Sequence, residues 1–154
     1  MKNEEKEDEY FINKRALGEL FDSKFPLSVH LWRGQKPEES HSPVLYPLLK
    51  SYLLANGNTR EPDIDTYSKG GTTWVKANGK GVSLFDVLGV PHSKWNYYKI
   101  PAGTPIPHGL VVVKDKFNSK HKATHYSMCP NWDMPLKNYL MLLDKIIPAL
   151  VSEK

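Results

Sequence analysis

The sequence predicts an α+β fold built on a mostly antiparallel β-sheet with flanking helices. Apolar and polar residues alternate over several short segments, as in half-buried strands, and these segments mix with helical patterns without any internal repeat. The 12 prolines and 10 glycines indicate many turns and argue against a long helical bundle. A chain of 154 residues is long enough for one domain with its own core and too short to expect two. We therefore expect a single domain over residues 10–154.

An acidic segment precedes this domain. Residues 1–9 hold five acids and two lysines, a local charge of −3, so the rest of the chain carries +7. We expect this segment to form a flexible, solvated tail, and the basic body to suit an anionic ligand. The first residues lack the apolar core and cleavage site of a conventional signal peptide, and no stretch approaches a membrane span. The single cysteine, Cys129, precludes an intrachain disulfide and fits a reducing compartment. We therefore expect a cytoplasmic protein and, because no membrane span is found, no membrane partner.

The first predicted elements are a short helix and a strand. Residues 11–21 have rough helical spacing. In the stretch "FPLSVHLWRG" that follows, Leu27, Val29 and Leu31 fall on one face at period two, and the next residue due on that face is Arg33. An arginine at the inward end of a strand loses hydration unless acceptors or an anion receive it. The alternatives are a carboxylate partner within the protein and a ligand that carries phosphate or carboxylate.

A second helix is predicted over residues 42–57. Ser42 can cap it, Pro43 suits its first turn and Gly57 ends it. Its apolar stripe comprises Leu45, Leu48, Leu49, Tyr52 and Leu53. Residues 56–71 are then expected to form a long irregular loop.

The second half of the chain predicts strands and two helices. Residues 72–85 predict a strand, an Asn78-Gly79 turn and an extended segment that runs into a short helix, "SLFDVLG", closed by Gly89. Three further strands are predicted in "WNYYKI", "GLVVVKD" and "ATHYSMC". The chain closes with an amphipathic helix that Pro148 should kink or fray, and its apolar face comprises Leu136, Tyr139, Leu140, Leu143, Ile146, Ile147 and Leu150.

Three common kinds of site lack their motifs. His121 and His125 lie four residues apart, but Lys122 stands where zinc hydrolases place a glutamate, and a strand does not hold both rings on one face as a helix does. No Gly-x-Ser-x-Gly elbow marks a nucleophilic serine, and no Walker-type phosphate loop occurs. Cys129 is better explained as a small buried apolar residue than as a nucleophile. We therefore expect no metal site.

A set of polar residues on sheet-like segments remains as the candidate site. Arg33 ends the first predicted strand, and His125 and Tyr126 lie in the middle of a late one. Ser83 begins a capping-box-like pattern that runs to Asp86, so a capping role alone would account for it. The start of a capped helix is also a place that receives pyrophosphate. If the sheet brings these four polar side chains together, they line a groove.

With these residues in view, the sequence resembles a known family. The segments "LWRG", "GVSLFD", "IPAGTPIPHGLVVVKD" and "KATHYSMCP", followed by a final amphipathic helix, are similar to the small ADP-ribosyltransferase-like toxins delivered by the type VI secretion system of pseudomonads. The similarity runs from about residue 27 to the final helix and is densest over residues 100–130. It implies a split antiparallel sheet around nicotinamide adenine dinucleotide (NAD), a toxin that modifies a macromolecular acceptor in the cytosol of a target cell, and a protective immunity protein.

The resemblance also implies roles for individual residues. Arg33 matches the first-strand arginine that anchors the dinucleotide in this fold. Ser83 matches a serine or threonine that is required for toxicity. His125 and Tyr126, within "THY", match residues whose separate roles the resemblance does not settle, and we place both with Ser83 as candidate catalytic residues.

The candidate NAD-binding residues are Arg33, Trp32, Gly34 and Tyr98. Breaking the bond between ribose and nicotinamide is helped by a pinned pyrophosphate, which Arg33 can bind through two parallel hydrogen bonds. Aromatic walls around the nicotinamide help as well, and Trp32 and Tyr98 are available for them. On this interpretation, Arg33→Ala abolishes toxicity and leaves the melting temperature nearly unchanged.

One group that the resemblance leads us to expect is missing. Well-characterised transferases usually carry a glutamate on a late strand, often in Gln-x-Glu or Glu-x-Glu, whereas the only glutamate here after Glu61 is Glu153, near the end. Asp115 and Asp133 flank the "THY" strand and either could substitute.

Two other functions stay open at this point. The first is hydrolysis of NAD, with water as the acceptor. The second is a binding module that occupies a partner such as RNA. It is suggested by the basic stretch Lys114–Lys122 and by aromatics nearby in sequence on which bases can stack, namely Trp95, Tyr97 and Tyr98. The second function does not explain Arg33, so we rank nucleic acid below NAD as a partner.

Overall fold

A computed structural model describes residues 20–39 and 43–153. The strands in these residues are β1 (Leu20–Phe21), β2 (Leu31–Gln35), β3 (Tyr52–Leu53), β4 (Thr59–Arg60), β5 (Thr66–Lys69), β6 (Thr72–Val75), β7 (Val82–Phe85), β8 (Asn96–Ile100), β9 (Leu110–Asn118), β10 (Ala123–Pro130), β11 (Met134–Pro135) and β12 (Val151–Glu153). The α-helix of the described residues is α1 (Leu136–Asp144), and short 3₁₀ turns lie at Pro37–Glu39 and Ile147–Ala149.

Seven of these strands form the main sheet. Their order is β1-β9-β10-β7-β2-β8-β12, and each neighbouring pair is antiparallel. A three-stranded sheet, β11-β6-β5, and a two-stranded hairpin, β3-β4, complete the strand architecture. The predicted α+β fold with a mostly antiparallel sheet is therefore confirmed.

The main sheet is split between β2 and β7. These two strands share one residue pair, Trp32 with Phe85, whereas β2 and β8 are paired over five residues. Beyond Trp32 the ladder between β2 and β7 stops, so Arg33 lies at the point where the two halves of the sheet begin to separate. The split sheet that the resemblance implied is present, and it opens between the strands that carry Arg33 and Ser83.

One face of the sheet packs against α1 to form the core. Leu84 and Met128 are fully buried there, and Tyr139 and Leu143 of α1 cover them from the helix side because residues four apart share a helix face. The Tyr139 hydroxyl donates to the Met128 carbonyl oxygen at 2.6 Å and accepts from the Val82 N–H at 3.3 Å. The helix is thereby bonded to the β7–β10 ladder. The predicted final helix is confirmed to Asp144, and a 3₁₀ turn that contains Pro148 follows it.

A second, smaller apolar cluster lies on the opposite face of β9 and β10. It comprises Val111, Val113 and Cys129, each buried. Burial raises the pKa of the Cys129 thiol, so this sulfur carries no thiolate at neutral pH. Cys129 is thus the small buried apolar residue that its sequence context predicted.

The predicted helix over residues 42–57 is wrong in the part that the structure describes. Residues 43–51 are irregular, and Tyr52–Leu53 form a strand that pairs with β4. Pro47 lacks an N–H and disfavours helical geometry at the residue before it. Residues 55–57 make the turn of this hairpin, because the Gly57 N–H donates to the Leu54 carbonyl and the Leu54 N–H to the Asn58 carbonyl, with Gly57 at a φ of +88°. Ser42 lies outside the described residues.

The predicted short helix over residues 83–89 is also wrong. Val82–Phe85 is a strand held between β10 and β2, and its alternating burial follows the period of two. Asp86 does not close a capping box, because its carboxylate accepts the Thr124 N–H at 2.7 Å and continues the contact with β10. Long-range pairing therefore overrides the local helical signal.

Two other predictions concern the ends of the described regions. Residues 11–19 of the predicted first helix and the acidic tail at residues 1–9 lie outside the described residues, and Leu20–Phe21 form strand β1. The predicted loop at residues 56–71 includes β4 and β5.

No helix in the described regions has the length and apolar character that crossing a membrane requires.

We expect Tyr139→Phe to lower the free energy of unfolding by about 1–2 kcal/mol, because it removes the buried hydroxyl that donates to the Met128 carbonyl and accepts the Val82 N–H. Denaturant titration of both proteins measures the difference. Tyr46→Phe is the matched control, since the Tyr46 ring is 40% exposed and none of the described hydrogen bonds uses its hydroxyl. Equal midpoints for Tyr139→Phe and the control would contradict this role.

Candidate functional site

Two cavities lie next to the split in the sheet. The Ser83 cavity has a volume of about 410 Å³ and is lined by Arg60, Pro62, Asp63, Gly79, Lys80, Gly81, Ser83, Val113, Lys114, Asp115, His125 and Ser127. The Arg33 cavity has a volume of about 470 Å³ and includes Arg33, Gly34, Lys36, Tyr46, Lys50, Tyr52, Arg60, Asp63 and Trp95 in its lining. Arg60 and Asp63 line both cavities, so the two spaces meet at this pair of residues.

Ser83 and His125 lie on the same face of neighbouring strands. In the β7–β10 ladder Ser127 is opposite Ser83 and His125 is opposite Phe85, so His125 and Ser83 are diagonal neighbours. Both side chains line the Ser83 cavity. None of the hydrogen bonds among the described residues involves the Ser83 hydroxyl, so this hydroxyl is available to a ligand.

The imidazole of His125 is oriented by Asp115. Tyr126 pairs with Lys114, which puts the preceding His125 and the following Asp115 opposite each other on β10 and β9. The distance from His125 Nδ1 to Asp115 Oδ2 is 2.8 Å, and the Phe85 ring packs edge-on against the imidazole at 5.2 Å between centroids. A carboxylate at Nδ1 favours a proton there and leaves Nε2 as an acceptor. The register of the ladder shifts next to this pair, between Thr124 and Tyr126, as happens at many sites where a bulge aims a side chain.

The other two acids that the sequence offered have structural contacts. Asp133 accepts the Tyr67 hydroxyl at 2.7 Å and the Ala77 N–H at 2.8 Å, so both of its oxygens hold the small sheet. Glu153 belongs to edge strand β12 and lies 3.4 Å from Lys99. Of the acids considered, Asp115 alone lines a cavity with Ser83 and His125.

Arg33 is bonded to three main-chain carbonyls. Its Nε donates to Val44 O, its Nη1 to Ser83 O and its Nη2 to Tyr46 O, each at 3.1 Å. Burial lowers the pKa of this guanidinium, and the nearby carboxylate of Asp63 acts in the opposite direction. Neither of the acceptors that the sequence suggested, a carboxylate or a ligand, is therefore needed to satisfy the three donors, although Arg33 does line the second cavity.

The remaining candidate NAD-binding residues occupy different places. Gly34 lines the Arg33 cavity, and a Cβ at this position would come within 2.8 Å of the Tyr97 ring, so close packing of β2 on β8 accounts for the glycine. Trp32 and Tyr98 line neither cavity. Trp32 pairs with Phe85 across the split, and its buried indole N–H has no partner among the described residues.

Tyr126 is placed apart from the other candidate catalytic residues. Its neighbours in the chain, His125 and Ser127, line the Ser83 cavity, and because strand side chains alternate, Tyr126 points to the opposite face. The Tyr126 side chain is buried in the main core, where its ring stacks with Phe21 at 6.3 Å between centroids. The sequence suggested one groove for all four polar residues, but the sheet puts this tyrosine on the core side.

The features behind the alternative RNA-binding and metal-binding interpretations do not come together. The basic stretch ends β9 and starts its turn, whereas Trp95, Tyr97 and Tyr98 belong to or precede β8, and three strands separate β8 from β9. At about 4.8 Å per strand spacing, the two features are about 19 Å apart. Among the described residues no group of three or more histidine, cysteine or acidic side chains is arranged to hold a metal ion.

Sequence reasoning missed the residues that join the two cavities. Arg60 and Asp63 form an ion pair at 3.0 Å, and Lys80 lies 3.0 Å from Asp65 in the wall of the Ser83 cavity. Arg60, Asp63 and Asp65 lie in the segment predicted to be an irregular loop, and Lys80 follows the Asn78-Gly79 turn. The sequence signal available for them is the Arg-x-x-Asp spacing of Arg60 and Asp63 within a long loop. This spacing does not predict which strands the loop packs against.

The chain matches known proteins over most of its length. Residues 8–153 match the family model described as Tse2 ADP-ribosyltransferase toxin. The curated Toxin Tse2 of Pseudomonas aeruginosa strain PAO1 is 32% identical over 106 residues, which are 69% of this chain. The aligned part spans 65% of the length of that relative.

The contacts of Arg33 revise the expected result of substituting it. We expect Arg33→Ala to lower the free energy of unfolding by about 2–4 kcal/mol, because three main-chain carbonyls lose a charged donor. Thermal unfolding should show a fall of roughly 2–4 °C per kcal/mol. Lys94→Ala, at an exposed position, is the control and should melt with the wild type. An unchanged melting temperature for Arg33→Ala would show that its hydrogen bonds contribute nothing net.

Proposed function

Because the chain belongs to the Tse2 ADP-ribosyltransferase toxin family, we propose that it is an NAD-dependent ADP-ribosyltransferase that acts as a toxin. The observation that carries the proposal is the Ser83 cavity. An oriented imidazole, a hydroxyl without a hydrogen-bond partner among the described residues and a carboxylate converge there from three adjacent strands, β10, β7 and β9.

The residues of the two cavities suit NAD as the substrate. Each cavity is within the range of about 300–1,000 Å³ that is common for small-molecule sites. Cations outnumber anions in both linings when histidine is neutral, which favours a ligand with two phosphate groups. NAD supplies the ADP-ribose group and, as the bond from ribose to nicotinamide breaks, positive charge develops on the ribose.

We assign the proton-handling role to His125. With Asp115 at Nδ1, the His125 Nε2 can accept the proton of an acceptor nucleophile, and the carboxylate stabilises the imidazolium that results. Asp115 also brings a negative charge to the cavity, where it stabilises the positive charge that develops on the ribose. A catalytic glutamate usually provides this stabilisation. The Ser83 hydroxyl is placed to position the substrate beside them.

Arg33, Gly34, Trp32 and Tyr98 have supporting roles in this proposal. Arg33 fixes the segments that line its cavity, and Gly34 allows β2 to approach β8. Trp32 contributes to the surface that leads from the split to Phe85 and His125, because the three residues are opposite one another on adjacent strands. Tyr98 supports Arg33 from the neighbouring strand. Tyr126 contributes to the core beneath the site and not to the chemistry.

The biological setting is proposed from the family. We infer a single toxin domain over residues 10–154 that acts on a macromolecular acceptor in the cytosol of a target cell and is neutralised by an immunity protein. A membrane partner is not part of this proposal. Hydrolysis of NAD uses the same cavity with water as the nucleophile, and the acceptor requirement separates the two reactions.

The first experiment measures nicotinamide release from NAD by purified protein, with and without cell lysate. We expect release that depends on lysate, and we expect Asp115→Asn to lower the maximal rate about 100-fold or more while KM changes little, because the carboxylate acts on His125 and not on binding. Asp144→Asn, an equal charge change on the exposed side of α1, is the control and should keep the wild-type rate.

The outcomes separate the candidate reactions. Release without lysate identifies hydrolysis, whereas lysate-dependent release with a labelled macromolecule identifies a transferase. If the folded wild type releases no nicotinamide in either condition, the proposal is wrong. If Asp115→Asn retains full activity, Asp115 is not the carboxylate that the reaction uses.

A further inference from the structure

We propose that Arg60 binds the pyrophosphate of the dinucleotide, whose two halves extend into the Ser83 cavity and the Arg33 cavity. This inference rests on the proposed function in that it takes NAD as the ligand. Its starting observation is the shared wall: the two cavities meet at Arg60 and Asp63. A dinucleotide is two nucleosides joined by a pyrophosphate, so a ligand that fills both cavities must pass its charged middle over this wall.

The guanidinium of Arg60 is held in place and still has donors for a ligand. Its Nη2 lies 3.0 Å from Asp63 Oδ1, and its Nη1 donates to the Glu61 carbonyl at 3.0 Å. These bonds use two of the five N–H donors of the group. The Arg60 side chain is 42% exposed, whereas that of Asp63 is 4% exposed. The donors that remain therefore belong to a group that reaches the cavity surface.

Asp63 makes this orientation rigid. Its second oxygen, Oδ2, accepts the Leu48 N–H at 2.7 Å, and its own N–H donates to the Leu48 carbonyl at 2.8 Å. The carboxylate is thus fixed by main-chain bonds before it binds the arginine. A guanidinium fixed in this way loses little conformational freedom when an anion arrives, which favours binding.

Arg33 is less suited to this task. Three of its five N–H donors are bonded to carbonyls of Val44, Tyr46 and Ser83, and it lines one of the two cavities. An anion that drew Arg33 away would break the contacts that form the cavity wall. Arg60 can bind an anion without breaking a bond to the strands of the split.

The linings of the cavities indicate which half of the ligand each receives. The Ser83 cavity holds His125 and Asp115, so the nicotinamide end, where the bond breaks, belongs there. The Arg33 cavity holds the aromatic side chains of Tyr46, Tyr52 and Trp95, against which an adenine ring can pack. Arg60 is the cation that is common to both linings, which is where the phosphates of such a ligand lie.

Calorimetric titration with ADP-ribose, inorganic pyrophosphate and adenosine tests the proposal without using the reaction. We expect Arg60→Gln to weaken the binding of ADP-ribose and pyrophosphate at least about tenfold, because hydrogen bonds between charged partners are lost. Adenosine has no phosphate for Arg60 to bind, so its dissociation constants for the variant and the wild type should agree within about twofold. Lys94→Gln, an equal charge change at an exposed position outside both cavities, should bind all three as the wild type does.

A second variant covers the case in which Arg60→Gln fails to fold because Asp63 is left buried without its partner. The double variant Arg60→Gln/Asp63→Asn neutralises both members of the pair and keeps side chains that can hydrogen-bond to each other. We expect it to fold and to show the same loss of ADP-ribose and pyrophosphate binding. ADP-ribose binding at the wild-type affinity in either folded variant would overturn the proposal.

The readouts also separate this inference from the proposed function. Binding of ADP-ribose that requires Arg60, in a protein that releases no nicotinamide, would support the site and remove the enzyme. Nicotinamide release by a protein whose ADP-ribose affinity is unchanged in Arg60→Gln would support the enzyme and refute the role of Arg60. Loss of adenosine binding together with ADP-ribose in Arg60→Gln would place the residue in the adenosine subsite and refute a pyrophosphate role.

Discussion

The structure depends on the guanidinium of Arg33 at the point where the main sheet divides. A sheet normally joins neighbouring strands through main-chain hydrogen bonds, but β2 and β7 have one residue pair before they part. Past that pair, Arg33 on β2 donates to the Ser83 carbonyl on β7, so a side chain continues the connection where the main chain cannot. Its other two bonds hold Val44 and Tyr46 beside the opening. Arg33 therefore connects β2 to β7 beyond their last main-chain pair and holds residues 44–46 beside the split.

This arrangement explains why the surrounding segment is irregular and yet ordered. Main-chain groups outside helices and sheets still need partners when they are buried. Along residues 44–48 charged side chains supply several of these partners. Arg33 donates to the Val44 and Tyr46 carbonyls, and the Asp63 carboxylate accepts the Leu48 N–H. Arg60 then balances the charge of Asp63. One chain of polar contacts thus runs from the split to the wall that the two cavities share.

The sequence predicts best where β-branched and aromatic residues cluster between turn residues. The strands around Trp32, Tyr97, Val112 and Met128 follow from such clusters, and the last helix follows from its four-residue spacing. The helix expected around residues 42–57 is not formed, because residues 44–48 are irregular and their hydrogen-bond partners, Arg33 and Asp63, are distant in sequence. The same limit affects the site. Arg33, Ser83 and His125 could be singled out, but the choice between Asp115 and Asp133 depends on the register of β9 and β10, which no local pattern contains.

Under the proposed function, the pair of Asp115 and His125 takes the place of a glutamate on a late strand. A glutamate would have to reach the cavity alone, whereas here the carboxylate and the imidazole come from opposite positions of one hairpin, 2.8 Å apart. The side chain of Asp115 is one methylene shorter than that of a glutamate. The imidazole ring of His125 makes up this length and extends the pair into the cavity. Because Ser83 is diagonal to His125 across the next ladder, the alternation that buries Tyr126 and Leu84 in the core also exposes the polar set to the cavity. The same pattern of residues that builds the sheet therefore sets the site.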